Sequence, residues 1–203
     1  MPARHISRRA CRLATAPRDC GVKAKSWLRR LGRLNKAAPV IPIPTAISVT
    51  LASPDGEGAR KALRAYFRDI VSRYQGRQAT EAEIDSVMVD ERSDDLTLPY
   101  GLFWVATQDS AVVGCIGLRL LPAGLGEVTR VFVADNIRRR GLGSRLLTEL
   151  ENAARTHGVR KLRLDTRHDL VEARRLYVKH GYRQVPAFND SPYAEHWFAK
   201  ILS

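Results

Sequence analysis

The chain has 203 residues, 44% of them hydrophobic, enough for one domain with a core, and no apolar run approaches the roughly 18 residues of a membrane span. Its net charge of +13 is unevenly held: residues 1–44 carry eleven Lys/Arg against one acid, Asp19, while residues 45–203 carry 23 against 20, so charge makes no case for a body that grips nucleic acid. Cys11, Cys20 and Cys115 form no Cys-x-x-Cys pair, which argues against a zinc site or disulfide framework and for a reduced, cytoplasmic protein.

Residues 1–44 contain Arg8-Arg9, Arg29-Arg30 and the Pro-rich "APVIPIP". They read as a basic, disordered extension. A nucleic-acid or membrane-surface arm, an organellar transit peptide and an upstream start codon are open alternatives. Trp27, Leu28, Leu31 and Leu34 have the spacing of a short amphipathic helix.

The folded part is expected over 45–203. "AISVTLA" reads as a strand. Leu63, Tyr66, Phe67, Ile70, Val71 and Tyr74, spaced three and four apart, predict an amphipathic helix. Thr80 and Glu83 form a capping box that opens a second helix. "GLFWVATQ" and "AVVGCIGLRLL" read as strands joined by a hairpin at Asp109-Ser110, and "GEVTRVFVA" as the next. Leu142, Leu146, Leu147 and Leu150 share a helical face that Gly158 ends. "KLRLDT" is a strand, "LVEARRLYVKH" a helix stopped by Gly181, and "YRQV" and "HWFAKIL" are strands. The fold class is α/β (α+β), with helices flanking a central sheet.

Between the strand ending at Val133 and the helix after Gly143 lies "ADNIRRRGLG". A helix start leaves free N–H groups beside the positive end of the dipole, a ready anion site. Gly141 and Gly143 let backbone approach a ligand closely, and Arg138, Arg139 and Arg140 add forked donors suited to phosphate. No Lys-Ser or Lys-Thr follows, so this is no P-loop. Leu146 fills the third glycine place of a dinucleotide fingerprint, so that fails too.

Arg138-x-x-Gly141-x-Gly143 resembles the acyl-CoA pyrophosphate motif of the GNAT N-acetyltransferase superfamily. "EVTRVFV" before it, "RLLTELENAARTHGVRKLRLDT" after it and "EARRLYVKHGYRQV" further on are similar to that family's fourth strand, following helix and fifth strand, and later helix. The likeness covers roughly Ile47 to Leu202.

The resemblance implies a strongly twisted mixed sheet whose fourth and fifth strands splay apart. Acetyl-CoA would lie in that slot as cosubstrate, its pantetheine arm along Val131, Phe132 and Val133. Its pyrophosphate would meet the turn from Arg138 through Arg139, Arg140, Gly141, Leu142 and Gly143 to Ser144. It implies an acyltransferase moving the acetyl group to a primary amine of a small molecule or peptide by direct attack in a ternary complex. Glu127 is the implied general base and Tyr177 the implied acid, with an N–H near Val131 or Phe132 as oxyanion donor. His168 and His180 are further candidate proton carriers. Leu170 stands where many relatives carry a pantetheine-contacting asparagine.

Tyr66, Tyr74, Asn189, Asp190, Tyr193 and Glu195 are candidates to line the acceptor site. The histidines are scattered, so no metal is expected. The chain is expected to be a monomer or homodimer, with nucleic acid a partner only through residues 1–44. A CoA-binding sensor without turnover and a nucleic-acid-associated protein are the competing functions.

Overall fold

The structure is a computed structural model that describes residues 46–203. The expectations for residues 1–44, and the domain boundary at 45, lie outside the described residues.

Within them the chain order is β1 (Ser48–Leu51), α1 (Glu57–Gln75), α2 (Glu81–Asp90), β2 (Gly101–Gln108), β3 (Ala111–Leu121), β4 (Leu125–Val133), α3 (Leu142–Thr156), β5 (Lys161–Thr166), α4 (Val171–Lys179), β6 (Arg183–Val185) and β7 (His196–Ile201). The predicted signals act where expected. Thr80 Oγ1 accepts from the Glu83 N–H while the Glu83 carboxylate accepts from the Thr80 N–H. Asp109 and Ser110 both take positive φ, 50° and 64°, the geometry of a two-residue turn that matches strand twist. Gly158 and Gly181, at φ 75° and 82°, follow the ends of α3 and α4.

The strands form one sheet in the order β1-β2-β3-β4-β5-β7-β6. All neighbours run antiparallel except β4 and β5. That parallel pairing is three residues long: Leu125 with Lys161, Gly126 with Leu162 and Glu127 with Arg163. Beyond Glu127 the strands part. β4 runs on to Val133 paired with β3, and β5 runs on to Thr166 paired with β7. The splay implied by the resemblance is therefore present, and it begins at Glu127.

Both faces of the sheet are covered. Leu142, Leu146, Leu147 and Leu150 of α3 pack on Ile116, Leu118, Val128, Leu162 and Leu164. Ala59, Ala62 and Leu63 of α1 pack on Phe103, Val105 and Cys115. β2 alternates between the two clusters, with Leu102, Trp104 and Ala106 on one face and Phe103 and Val105 on the other. That explains why it reads as a continuous apolar run. Burying such faces, at roughly 25 cal/mol per Å² of apolar surface, is the main force holding the sheet rigid under the site. Cys115 is fully buried, and burial pushes its thiol pKa up, so it stays a neutral packing group.

One feature of β4 had no sequence signal. Its register against β3 shifts between Cys115 and Gly117, and Arg130 takes φ 54°. This β-bulge bends the strand within the stretch that has left β5 but still pairs with β3. The Arg130 side chain folds into the protein. It donates to Ser93 Oγ (3.1 Å) and the Glu91 carbonyl (2.9 Å) and lies 4.9 Å from the Phe67 ring centroid. The bent strand is thus anchored to the segment after α2.

Candidate active site

Two cavities meet where β4 and β5 part. The first, about 620 Å³, is walled by Val131, Phe132 and Val133, by the turn into α3, and by Leu176 and Lys179 of α4. The second, about 590 Å³, is walled by Glu127, Asp165 and Tyr177, with Tyr66, Tyr74 and Tyr193 at its aromatic side. Ile70, Val131, Leu170 and Ala173 line both, so they form one cleft with two ends.

At the first end the turn into α3 presents main-chain amides, beside the charged side chains of Arg73, Arg139, Arg175 and Lys179. Among the described residues, the N–H groups of Arg139, Gly141, Leu142, Gly143 and Ser144 meet no acceptor, and α3 has no side-chain cap. Arg139 and Gly141 take positive φ, 64° and 87°, and Arg138 between them and β4 is extended (φ −55°, ψ 153°), so the chain turns sharply just before α3. The two glycines serve different needs. Gly141 has open space around it and supplies the positive φ. A Cβ at Gly143 would come within 3.0 Å of Leu176 Cδ2, so Gly143 lets α3 and α4 close on each other.

The three arginines also separate. Arg138 Nε donates to the Val133 carbonyl (3.0 Å), and its guanidinium binds Asp69 (3.0 Å) and Asp135 (2.7 Å), with Glu172 at 3.5 Å. It braces the turn against α1 and α4. Arg139 lines the cleft, while Arg140 is exposed and off its wall. Five acceptor-free amides in a long pocket fit a diphosphate-bearing ligand, and the unpaired edge of β4 at Val131–Val133 fits an extended arm.

At the second end the polar surface is side chain. Glu127 is one rung of a ladder across three strands. Arg119 Nη1 donates to its Oε1 (3.2 Å), and Arg163 Nε and Nη2 donate to its Oε2 (both 3.0 Å). These are its direct neighbours in register on β3 and β5. Arg119 continues the ladder to Asp95 (2.5 Å), and Arg163 stacks on Phe188, 4.4 Å from its centroid. Tyr177 is buried beside Tyr182 and Phe198, and burial pushes its pKa up, so its hydroxyl keeps its proton at neutral pH.

The sequence reading missed Asp165. It lies two residues past Arg163 on the same face of β5. Its Oδ2 accepts from Asn189 Nδ2 (2.7 Å), and Asn189 Oδ1 accepts from Trp197 Nε1 (2.7 Å). Burial pushes the Asp165 pKa up, the Asn189 hydrogen bond opposes this, and the nearby Glu127 charge adds to it. The alternation in "KLRLDT" puts Arg163 and Asp165 on one face, but not which cavity that face walls.

Of the remaining candidates, Tyr66, Tyr74, Asn189 and Tyr193 line the second cavity, whereas Asp190 and Glu195 do not. His168 Nδ1 pairs with Glu195 at 2.6 Å on the surface. His180 caps α4, where burial lowers its pKa. No group of three or more metal-ligating side chains occurs among the described residues.

The family model of the acetyltransferase (GNAT) family matches residues 63–182, which span α1 through α4 and hence both ends of the cleft. The chain belongs to the GNAT acetyltransferase family. An "IAA acetyltransferase" of Azospirillum brasilense is 39% identical over 83 residues, 39% of this chain and 53% of that protein. The "Uncharacterized N-acetyltransferase YedL" of Escherichia coli K12 is 29% identical over 94 residues, 45% of this chain and 59% of that one. The chain therefore matches a little over half the length of these curated GNAT relatives. A GNAT-family acetyltransferase from Staphylococcus aureus Mu50 superposes with TM-score 0.64 at 19% identity, covering 78% of this chain and all of that one. The PaiA N-acetyltransferase of Thermoplasma acidophilum, solved in complex with coenzyme A, superposes with TM-score 0.60 at 21% identity over 77% and 99%. At these identities the GNAT structures establish the shared fold.

Proposed function

We propose that the chain transfers an acetyl group from acetyl-CoA to a primary amine of a small molecule or peptide, both bound at once. One observation carries this: the acceptor-free amides of Arg139 and Gly141–Ser144 and the carboxylate-lined pocket of Glu127 and Asp165 open into each other where β4 and β5 part. A thioester carrier held by its diphosphate at the first end and running along Val131–Val133 presents its carbonyl at the second.

In this proposal Arg139 and the amides up to Ser144 hold the diphosphate, and Arg138 keeps the turn in shape. Main-chain N–H groups at the bulge, near Val131 and Phe132, stabilise the developing oxyanion. Tyr177, held neutral by burial, supplies a proton to the departing sulfur. Glu127, fixed between Arg119 and Arg163, contributes negative charge at the amine end. The aromatic walls Tyr66, Tyr74 and Tyr193 suit the carbon skeleton of the acceptor and the face of a cation. The cytoplasm belongs to the proposal. Supporting it, Cys115 is an unpaired thiol, and no described helix is long and apolar enough to cross a membrane.

Acetyl-CoA should raise the melting temperature by binding the folded state. Thiol release should then appear against at least one member of a primary-amine panel. Absence of any thermal shift at millimolar acetyl-CoA would reject the proposal.

A further inference from the structure

We propose that Asp165, not Glu127, takes the proton from the acceptor's ammonium group, and that Asn189 and Trp197 position it to do so. The inference rests on the acetyl-transfer reading above and assigns a role within it.

The argument begins with which lone pairs are available. Both Glu127 oxygens accept from guanidinium groups, Arg119 at 3.2 Å on one and Arg163 at 3.0 Å on the other. Arginine does not give up its protons in proteins, so these acceptor sites stay filled throughout a turnover. Glu127 is also the last β4 residue paired with β5, with a guanidinium on either side of it in the sheet. It is built as a structural rung.

Asp165 differs on each count. It sits beyond the point where the strands part. It forms no ion pair among the described residues, and its Oδ1 meets no donor there. Its Oδ2 takes one neutral hydrogen bond, from Asn189 at 2.7 Å. The orientation of that amide is fixed. The Trp197 indole can only donate, so the Asn189 oxygen must face Trp197 (2.7 Å) and the Asn189 NH₂ must face Asp165. Trp197 lies directly opposite Asp165 in the β5–β7 pairing. The carboxylate is thus held by a two-step relay that leaves one oxygen free toward the cavity.

The charged and titratable groups around Asp165 are Glu127 on β4, Arg119 on β3, Arg163 on β5 and Tyr177 on α4. Arg119 and Arg163 are already paired to Glu127. Burial and the Glu127 charge make Asp165 more basic than an ordinary aspartate, the direction a base working near neutral pH needs. Of the other carboxylates on this wall, Glu83 is paired to Arg77 at 2.6 Å and Glu91 to Arg130 at 3.4 Å, while Asp90 stands exposed at the end of α2, away from the point where the strands part. An incoming ammonium finds Asp165 as the half-buried carboxylate at the strand opening with a whole oxygen that meets no donor, whereas both Glu127 oxygens already face guanidinium groups.

The step balances. The ammonium gives one proton to Asp165, which passes it to solvent. The freed nitrogen lone pair forms the C–N bond to the acetyl carbon, and the C–S bond breaks with its electron pair on sulfur. Nitrogen loses a second proton as the amide forms, and Tyr177 delivers one to sulfur and regains one.

The test uses the full chain as wild type, Asp165→Asn and Glu127→Gln, each first checked for an intact melting transition. Acetyl-CoA affinity by calorimetry reports on the acetyl-transfer reading, and all three proteins should bind alike. Thiol release with tyramine, spermidine and benzylamine then reports on the base. Asp165→Asn should lower kcat/KM at pH 7 by about 100-fold and abolish its acid limb, as loss of a general base does. Glu127→Gln should cost less than about tenfold and keep the limb. A limb that survives Asp165→Asn, or vanishes in Glu127→Gln, overturns the proposal. If acetyl-CoA binds but none of these amines reacts, carboxyl ¹³C NMR decides. The resonance missing in Asp165→Asn should titrate above the ordinary aspartate value of 3.8 and move down in Glu127→Gln. A midpoint at or below 3.8 overturns it.

Discussion

At the α3 end of the cleft the surface proposed to meet the ligand rests on main chain, the amides of Arg139 and Gly141 to Ser144, although the Arg73, Arg175 and Lys179 side chains share its wall. At the β5 end it is side chain, with Glu127, Asp165 and Tyr177 arriving from β4, β5 and α4. The two surfaces should fail differently. A main-chain site tolerates changes of side chain and fails when its shape or local charge is altered. A side-chain site fails residue by residue and leaves binding at the other end intact.

The largest expected effect breaks the first end by charge. Gly143→Asp places a carboxylate among the amides proposed to hold the diphosphate, and its Cβ would already press on Leu176 at 3.0 Å. Like-charge juxtaposition costs several kcal/mol, so acetyl-CoA affinity measured by calorimetry should fall about 100-fold or more. Ser144→Ala keeps the N–H and should bind nearly as the wild type does. If Ser144→Ala were the worse variant, recognition at this end would be by side chain and the contrast would collapse.

Next comes Tyr177→Phe. Loss of the acid proposed at the sulfur should lower kcat for thiol release by about 100-fold, with little change in acetyl-CoA affinity. The melting temperature should hold or rise, because the Tyr177 hydroxyl, on the cavity wall, has no hydrogen-bond partner among the described residues, while the ring keeps its contacts with Tyr182 and Phe198. A parallel loss of affinity would show that Tyr177 shapes the cofactor end as well.

The contrast between main chain and side chain also explains what was legible in the sequence. A site made of amides needs glycine, a strand end and a helix start in a row, and "RRRGLGS" writes these in adjacent letters. Even there, the reason for Gly143 was hidden, because Leu176 lies on another helix. The element order was legible because period, caps and turn residues are local. Glu127 drew attention through its distance from Arg138, a resemblance and not a contact. Its partners Arg119 and Arg163 could not be read, since they depend on strand register. Asp165 was missed for the same reason: Asn189 and Trp197 reach it only once β7 has paired with β5. The bulge at Arg130 left no mark, because a positive φ at arginine is imposed by surrounding packing and not by local preference.

Arginine variants sharpen the comparison at smaller scale. Arg138 is only partly buried, so solvent screening keeps its ion pairs to about 1 kcal/mol in stability. Removing it also leaves Asp69, Asp135 and Glu172 unneutralised beside the anion site. Arg138→Ala should therefore weaken acetyl-CoA binding about tenfold and lower the melting temperature by a few degrees. Arg140→Ala, off the cleft wall, should change either by little. Calorimetry and thermal melts on the pair would separate a brace from a solvated neighbour.

The smallest effect concerns stability at the side-chain end. Burial raises the Asp165 pKa in the folded protein above its ordinary 3.8. The folded state then holds this proton more tightly than the unfolded state. Linkage makes the Asp165 contribution most favourable below 3.8, and it is lost as pH rises through the folded value. At pH 7 the ionised carboxylate is a standing cost, which Asp165→Asn removes while its side-chain oxygen still accepts from Asn189. The variant should melt slightly higher than wild type at pH 7, by less than the drop in Arg138→Ala, and the gain should vanish near pH 3. Thermal melts across that range provide the check. A gain that persists at low pH would come from packing and not from charge. A gain confined to neutral pH would mean that the acceptor end keeps a strained carboxylate for its reactivity, whereas the amide end meets its ligand without any such cost.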